Sequence, residues 1–467
     1  MAQSRAAGSS GARQRRARGS QAEAQPARVD VDCCIAGGGP AGMMLGMLLA
    51  RAGVKVAVLE KHGDFLRDFR GDTIHPSTLQ VLDELGLRDA FLTLPHTSVS
   101  TLDAVVDGTR ITPVDFDSVH GRNDFLVLMP QWDFLDFLAE HAKAYPGFQL
   151  FMNTDATELI VDDGSIDGAT AGAAGAVADA LPAGGVRRVR GVLATGPDGP
   201  VEVHAALTVA ADGRDSVLRA ASGLPSTDFG APIDVVWFHL PYPPERPPDT
   251  LGYIDEHRLV LTIPREGYYQ MGLVIPKGGF DDVHREGVES VRQAIVQTAP
   301  FLAPVVGELK SFSQLKLLAV QINRLETWWR PGLLCIGDAA HAMSPAFGVG
   351  VNFAVQDAVA TANRLAPLLR GAGPVAGARA SALDAACSWV QRRRMTPVRA
   401  MQAVQLAAHH VINGAGVSLL PSPLPEPRRI VLSAVIPLVQ RLAARMIGRG
   451  FRAEHVSRAI RGATTRG

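Results

Sequence analysis

The sequence is short of most features that would place it in a specialised class. Its 467 residues hold four cysteines, Cys33, Cys34, Cys335 and Cys387, at spacings that match no metal site. Three of them sit in apolar, strand-like runs, which reads as reduced core residues in the cytoplasm. Lys+Arg and Asp+Glu both number 46, so there is no net charge to attract nucleic acid. Aromatics make up only 6% of the chain. No apolar run reaches the ~18 residues of a membrane span.

What is present is a chain rich in Ala and Gly and too long for one hydrophobic core, so two or more domains are expected. Residues 1–28 are rich in Arg, Ala, Ser and Gly without apolar periodicity, and read as a disordered arm. A transit peptide is the competing reading of that arm.

The first informative stretch is "VDCCIAGGGPAGMMLGMLLARAGVKVAVLEK", residues 31–61. Residues 31–36 read as a buried strand, and Gly37, Gly39 and Gly42 form GxGxxG. Pro40 opens a helix in which Ala41, Leu45, Leu48, Leu49 and Ala52 recur at helical spacing. Gly53 ends it, Val54 to Leu59 form a second strand, and Glu60 and Lys61 follow. In such a unit the first glycine makes the turn and the second admits a pyrophosphate. The third lets helix and strand pack, and the acid accepts from a ribose. That context points to a dinucleotide.

A second stretch, "CIGDAAHAMSPAFGVGVNFAVQDA", begins at Cys335. An apolar run stops at Gly337-Asp338, placing a carboxylate where open α/β sheets bind ligands. Pro345, Gly348 and Gly350 then lead into a helix expected to start near Val351. His341, among small residues, reads as structural. Residues 164–185 lack strand context and glycine pattern and read as a long loop. One dinucleotide fold is therefore expected, with no separate nicotinamide domain.

Here the sequence resembles the class A flavoprotein monooxygenases, aromatic hydroxylases of the para-hydroxybenzoate hydroxylase type, over about residues 30 to 400. Three motifs carry the resemblance: Gly37–Gly42 with Glu60, "ADGRDSVLR" (Ala211 to Arg219), and "GDAAHAMSPAFGVGVN" (Gly337 to Asn352). It implies a non-covalent FAD held by Gly37, Gly39, Pro40, Ala41, Gly42, Glu60 and Lys61 at the adenosine end. Asp338 would take a ribityl hydroxyl, and Gly348, Val349, Gly350, Val351 and Asn352 would run along the isoalloxazine. Asp212 and Gly213 would serve FAD and NAD(P)H together, with Arg70 near the phosphates and Gln131 near the ribityl chain. Val349 departs from the family, many of whose members carry Gln there.

The fold implied is α/β. A Rossmann-like FAD unit (29–99, 124–225, 312–372) would be interrupted by a mostly antiparallel substrate unit (100–123, 226–311), with a helical region from 373 to 467. "STLDAVVDGTRITPVDF" alternates around Asp107-Gly108 as a hairpin, and 233–241, 251–263 and 267–275 read as strands. "GVESVRQAIVQTAP" reads as a helix, and Pro397 as a kink or end of the long helix after Arg370. Trp237 and His239 share one face by period two. His239 and Tyr253 are the weak candidates for a catalytic base; Tyr268, Tyr269 and His257 lie near them. The tail holds an apolar stretch (Ile430 to Val439) among Arg428, Arg429, Arg441, Arg445 and Arg449. Packing on its own domain is the reading taken, with membrane contact the alternative.

The activity implied is an FAD-dependent, NADPH- or NADH-consuming monooxygenase. It would insert one atom of molecular oxygen into an electron-rich aromatic or polyketide-like small molecule through a flavin hydroperoxide. A flavin dehydrogenase or double-bond reductase and a non-turnover FAD-binding sensor are the alternatives. No metal is expected, and no Trp-x-Trp-x-Ile-Pro stretch marks a halogenase.

Overall fold

The computed structural model describes residues 26–66, 73–106, 108–119, 121–162, 166–168, 187–248, 250–255, 258–371, 373, 375–414, 438 and 440–462. Its principal sheet has nine strands. Five of them run parallel: Phe148–Phe151, Val56–Leu59, Ala27–Ala36, Gly199–Ala210 and Leu333–Cys335, side by side in that order. Val31 to Ala36 are buried, as are ten residues of the helix Pro40–Arg51 that covers them. A strand apolar on both faces belongs at the centre of a parallel sheet, and the Cys-Cys-Ile-Ala run meets that condition.

Register decides where the site lies. Leu59 pairs with Ala36, Ala36 with Ala210, and Ala210 with Cys335. Four strands therefore end on one line. Glu60, Gly37, Ala211 and Ile336, the residues after those ends, are set along one carboxyl edge. Beyond Gly199–Ala210 the sheet continues antiparallel through Val189–Gly196, Asp155–Val161 and Ile166–Gly168.

A second sheet of seven strands is inserted between these segments. In spatial order it comprises Lys316–Leu318, Ile233–Pro241, Tyr268–Pro276, Leu259–Pro264, Gly252–Ile254, Thr101–Val106 and Thr109–Asp115. Every pairing but one is antiparallel, the exception being Gly252–Ile254 beside Thr101–Val106. One face carries Val236, Phe238, Leu240, Tyr253, Val260, Tyr269 and Met271. These pack against Val291 and Ile295 of the helix Val288–Thr298. The other face carries Val235 and Trp237 with half-buried Leu261, Ile263 and Val274.

The fold is α/β, with a Rossmann-like core, an inserted antiparallel sheet and a C-terminal helical region. Several local expectations shift. The first strand begins at Ala27, paired with Val201, so Ala27 and Arg28 belong to the sheet rather than to the arm. Residues 166–168 of the expected loop form a strand; the rest of that loop, 164–165 and 169–185, lies outside the described residues. The helix after the third motif starts at Gly350, one residue early. Pro397 does not end its helix, which runs Gly377–Gly414. Val398 and Met401 are fully buried just beyond it, and that packing outweighs the lost backbone bond. Lys316–Leu318, counted above with the cofactor unit, forms an edge of the inserted sheet.

Candidate active site and cofactor cradle

The three motifs meet at the carboxyl edge of the parallel strands. Ala211 N–H donates to Ala36 O at 2.8 Å and Ile336 N–H to Ala210 O at 3.0 Å, so the register persists one residue past the strands. A Cβ on Gly37 would stand 2.3 Å from Ala211 O, and one on Gly42 would stand 1.9 Å from Gly37 O. Neither position admits a side chain. Gly39, the N-cap of the helix Pro40–Arg51, faces open space, with no atom within 4 Å of a Cβ built there. That helix has no side-chain cap, and its first turn carries no acid. An uncapped helix amino end facing open space suits an anionic diphosphate.

Glu60 closes the turn. Its Oε2 accepts from Gly38 N–H at 3.0 Å, and its Oε1 accepts from His62 N–H at 3.0 Å and contacts His62 Nδ1 at 2.6 Å. His62, which sequence reasoning passed over, therefore fixes the rotamer of the acid expected at a ribose. Lys61 is exposed beside it.

The second motif is largely buttress. Asp212 accepts from Leu218 N–H at 3.2 Å and from Ser216 Oγ, so it holds the start of the helix Val217–Ser222. Burial pushes its carboxyl above the ordinary value, against those two hydrogen bonds. Gly213 lies in the left-handed region, φ 90°. Arg219 donates to Ala339 O at 3.4 Å and also to Arg214 O, clamping the second motif to the third. Arg214 Nη2 lies 3.5 Å from Asp338 Oδ2. Asp338 keeps about a third of its side chain exposed, so its carboxylate still faces solvent in the cleft.

Behind Asp338 is a buried ionic knot. Asp357 Oδ2 accepts from Gly337 N–H at 3.0 Å and from His341 Nε2 at 2.7 Å, and Oδ1 accepts from Arg394 Nε at 2.8 Å. Burial alone would raise the Asp357 pKa, but His341 and Arg394 together hold it below the usual carboxylate range. Glu454 completes the knot from the C-terminal segment, accepting from Arg393 Nε at 2.6 Å. His341 is thus a structural residue. The signal for Asp357 was visible as one acid in an apolar helix, but its partner, Arg394, lies 37 residues on.

The loop Pro345 to Asn352 is built by its neighbours. Phe347 has φ 68° and Gly348 φ 61°, and a Cβ on Gly348 would stand 2.8 Å from Thr73 Oγ1. Val349 and Val351 are buried. Asn352 is turned inward, its Oδ1 accepting from His75 N–H at 3.1 Å and Thr78 Oγ1 at 2.6 Å. Gly350 opens the helix Gly350–Leu369, which has no side-chain cap, and no atom lies within 4 Å of a Cβ built there. His75 supports the loop from beneath, with Nε2 3.1 Å from Gly348 O and Nδ1 3.0 Å from Ile447 O. Burial pulls its pKa down to about 4, against those carbonyl contacts, so the ring is neutral at pH 7.

Of the remaining candidates, Gln131 opens the helix Gln131–Ala142, partly exposed. Arg70 and His257 lie outside the described residues. His239 is exposed on the open face of the inserted sheet, 4.9 Å edge-to-face from Tyr268. Tyr253 is on the opposite face, 5.0 Å from the Phe301 ring, where it packs against the helical layer. Among the described residues no group of His, Cys, Asp and Glu could hold a metal ion.

A family model described as an FAD binding domain matches residues 30–387. The chain belongs to this family and is an FAD-dependent monooxygenase. It is 30% identical over 331 residues to a 6-methylpretetramide 4-monooxygenase of Streptomyces rimosus, covering 70% of this chain and 73% of that one. It is 27% identical over 356 residues to a 12-dehydrotetracycline 5-monooxygenase/anhydrotetracycline 6-monooxygenase of the same species, spanning 64% of that protein's length. Among solved structures, an anhydrotetracycline hydroxylase from S. rimosus shares the fold, with TM-score 0.64 at 21% identity over 90% of this chain and 76% of that one. FAD and NAD(P)H are the cofactors of the reaction. The uncapped helix at Gly39 and the Cβ-free turn at Gly37 and Gly42 fit FAD in this chain.

Proposed function

We propose that this FAD binding domain monooxygenase oxygenates a flat, oxygen-bearing polycyclic aromatic of polyketide type. The site would be the cleft between the Gly348 loop and the open face of the inserted sheet. The reading is supported most directly by that face, where half-buried Leu261, Ile263 and Val274 cluster with Trp237 and no helix contributes to the cluster among the described residues. The relatives that act on 6-methylpretetramide and anhydrotetracycline support the same substrate class. In this reading segments 100–123 and 226–311 form the substrate unit, and the remainder up to 372 the cofactor unit.

Bound FAD, reduced by NAD(P)H, supplies the activation of molecular oxygen. The chain's own residues hold it and shape its surroundings. The amino end of the helix Pro40–Arg51 would meet the diphosphate and Glu60 the adenosine ribose, while Asp338 would accept from a ribityl hydroxyl. The N–H groups following Gly350 would face the pyrimidine edge, where the helix's positive end favours the negative charge of the reduced ring. His239, on the open face, is the group that would take a phenolic proton. The apolar sheet face excludes water from the reacting atoms.

The deciding measurement is isotope incorporation. The purified protein should carry about one FAD per chain, released by heat. With NAD(P)H and a polycyclic phenol, one atom of labelled oxygen gas should enter each product molecule. Substrate turnover without label would make it a dehydrogenase or reductase, and no turnover of any aromatic would make it a binding protein.

A further inference from the structure

The open face of the inserted sheet holds two buried donors that no group among the described residues satisfies. Trp237 is 6% exposed and Gln270 5%, yet Trp237 Nε1 and Gln270 Nε2 meet no acceptor among the described residues. Leaving such groups unpaired in a dry interior costs about 1–3 kcal/mol each, so a native fold that keeps two of them side by side calls for an explanation.

Register puts them together. Trp237 pairs with Gly272, and Gly272 with Leu261; His239 pairs with Gln270, and Gln270 with Ile263. Cross-strand partners share a face, so Trp237 and Gln270 are diagonal neighbours roughly 7–8 Å apart, with their Cβ atoms somewhat closer. Both point away from the helix-covered core.

Two further details aim them. A Cβ on Gly272 would stand 3.0 Å from Trp237 Cζ3 and 3.2 Å from Leu261 Cδ1, so the missing side chain is what lets the indole extend over the strand. Arg265 Nε lies 3.4 Å from Gln270 Oε1, which ties down the carbonyl end of the amide and leaves its buried NH₂ without an acceptor among the described residues. The strip that results is apolar, with Leu261 and Ile263 half-buried, and bears two fixed N–H donors.

We infer that Trp237 and Gln270 are specificity-determining residues. The indole N–H and the carboxamide N–H donate to carbonyl or phenolic oxygens along one edge of a polycyclic aromatic substrate, while Leu261 and Ile263 cover its apolar surface. The inference rests on the polycyclic reading above. It adds that the enzyme selects rings by their oxygen pattern as well as by area, because a substrate lacking those oxygens leaves both donors unpaired.

The test uses FAD-loaded protein, with anhydrotetracycline as an oxygen-rich probe and (anthracen-9-ylmethyl)trimethylammonium as a fused-ring probe without a hydrogen-bond acceptor. Binding is measured by calorimetric titration, beside FAD content and melting temperature. Trp237→Phe and Gln270→Leu should each weaken anhydrotetracycline binding about tenfold, with the affinity for the acceptor-free anthracene probe changed less than twofold and FAD content retained. Variants that bind anhydrotetracycline as the parent does would overturn the donor assignment and leave the substrate reading intact. Equal loss of both probes, or loss of FAD, would make the two residues structural and also overturn it. A parent protein that binds neither probe would overturn the polycyclic reading itself.

Discussion

Gly337 and Ala41 face each other so closely that a Cβ on Gly337 would stand 3.0 Å from the Ala41 Cβ. The two residues belong to motifs nearly 300 positions apart, and their contact joins the diphosphate turn to the Asp338 turn. Gly337 also has φ 59°, where a side chain costs roughly 1 kcal/mol or more. Gly337→Ala should therefore lower the melting temperature by a few degrees and leave the purified protein depleted of FAD. Full FAD occupancy in that variant would show that the two turns need not touch.

Gly348 and Gly350 should part company. Gly348→Ala meets both a left-handed backbone and Thr73, so it should destabilise the protein with or without FAD. Gly350→Ala meets nothing within 4 Å and sits in a helix, where Ala is favoured over Gly by roughly 0.5–1 kcal/mol. The cofactor-free protein should keep its melting temperature, while FAD affinity falls about tenfold as the methyl enters the cofactor's space. Flavin titration beside thermal melting of both variants checks this, and unchanged affinity in Gly350→Ala would move the flavin away from this loop.

Asp357→Asn should be among the most damaging conservative changes in the chain. It leaves Arg394, 2% exposed, without its nearer buried counter-charge and with Glu454 3.7 Å away, and breaking such a buried pair costs about 3–5 kcal/mol. The wild-type carboxyl is held below its ordinary pKa, so it stabilises the fold above that value and the contribution is lost as pH falls through the depressed one. Urea unfolding at neutral and acid pH should show a loss in wild type that Asp357→Asn lacks.

His75 adds a second acid sensitivity at higher pH. Its pKa drops from 6.5 to about 4 on folding, so between those values the unfolded chain binds the proton and stability declines as pH falls. The full effect is a few kcal/mol, and it levels off below about pH 4. His75→Gln keeps a hydrogen-bonding side chain without the titration. Its stability should be flatter than wild type between pH 6.5 and 4, and an equal slope would assign the sensitivity to other groups.

The turns that meet at the carboxyl edge were legible in the sequence because their signals are local. Gly37 to Gly42 and Gly337 to Gly350 announce themselves by spacing within single turns, and the strands around them by short apolar runs. The ionic knot was not, since Asp357, His341 and Arg394 make sense only as partners and the last joins from a different helix. Trp237 and His239 were placed on one face by period two, and they share it. Tyr253 could not be sorted, because its face depends on Gly252 pairing with Leu261, a register that no local pattern declares. Pro397 was read as a kink or an end of its helix, and the helix continues past it because tertiary burial outweighs the local rule against continuation.

The order of the parallel strands has a consequence for biosynthesis. The glycine turn follows the first of the five to leave the ribosome, and the strand that sets Gly337 against Ala41 is the last of them. At common elongation rates the interval is roughly 15 to 60 seconds. Throughout it the turn exists without its opposite wall, and the apolar strand Ala27–Ala36 lacks its later neighbour Gly199–Ala210 for much of that time. The emerging chain is therefore exposed to mispairing of that strand, and flavin can lock the architecture only after the strand Leu333–Cys335 has emerged.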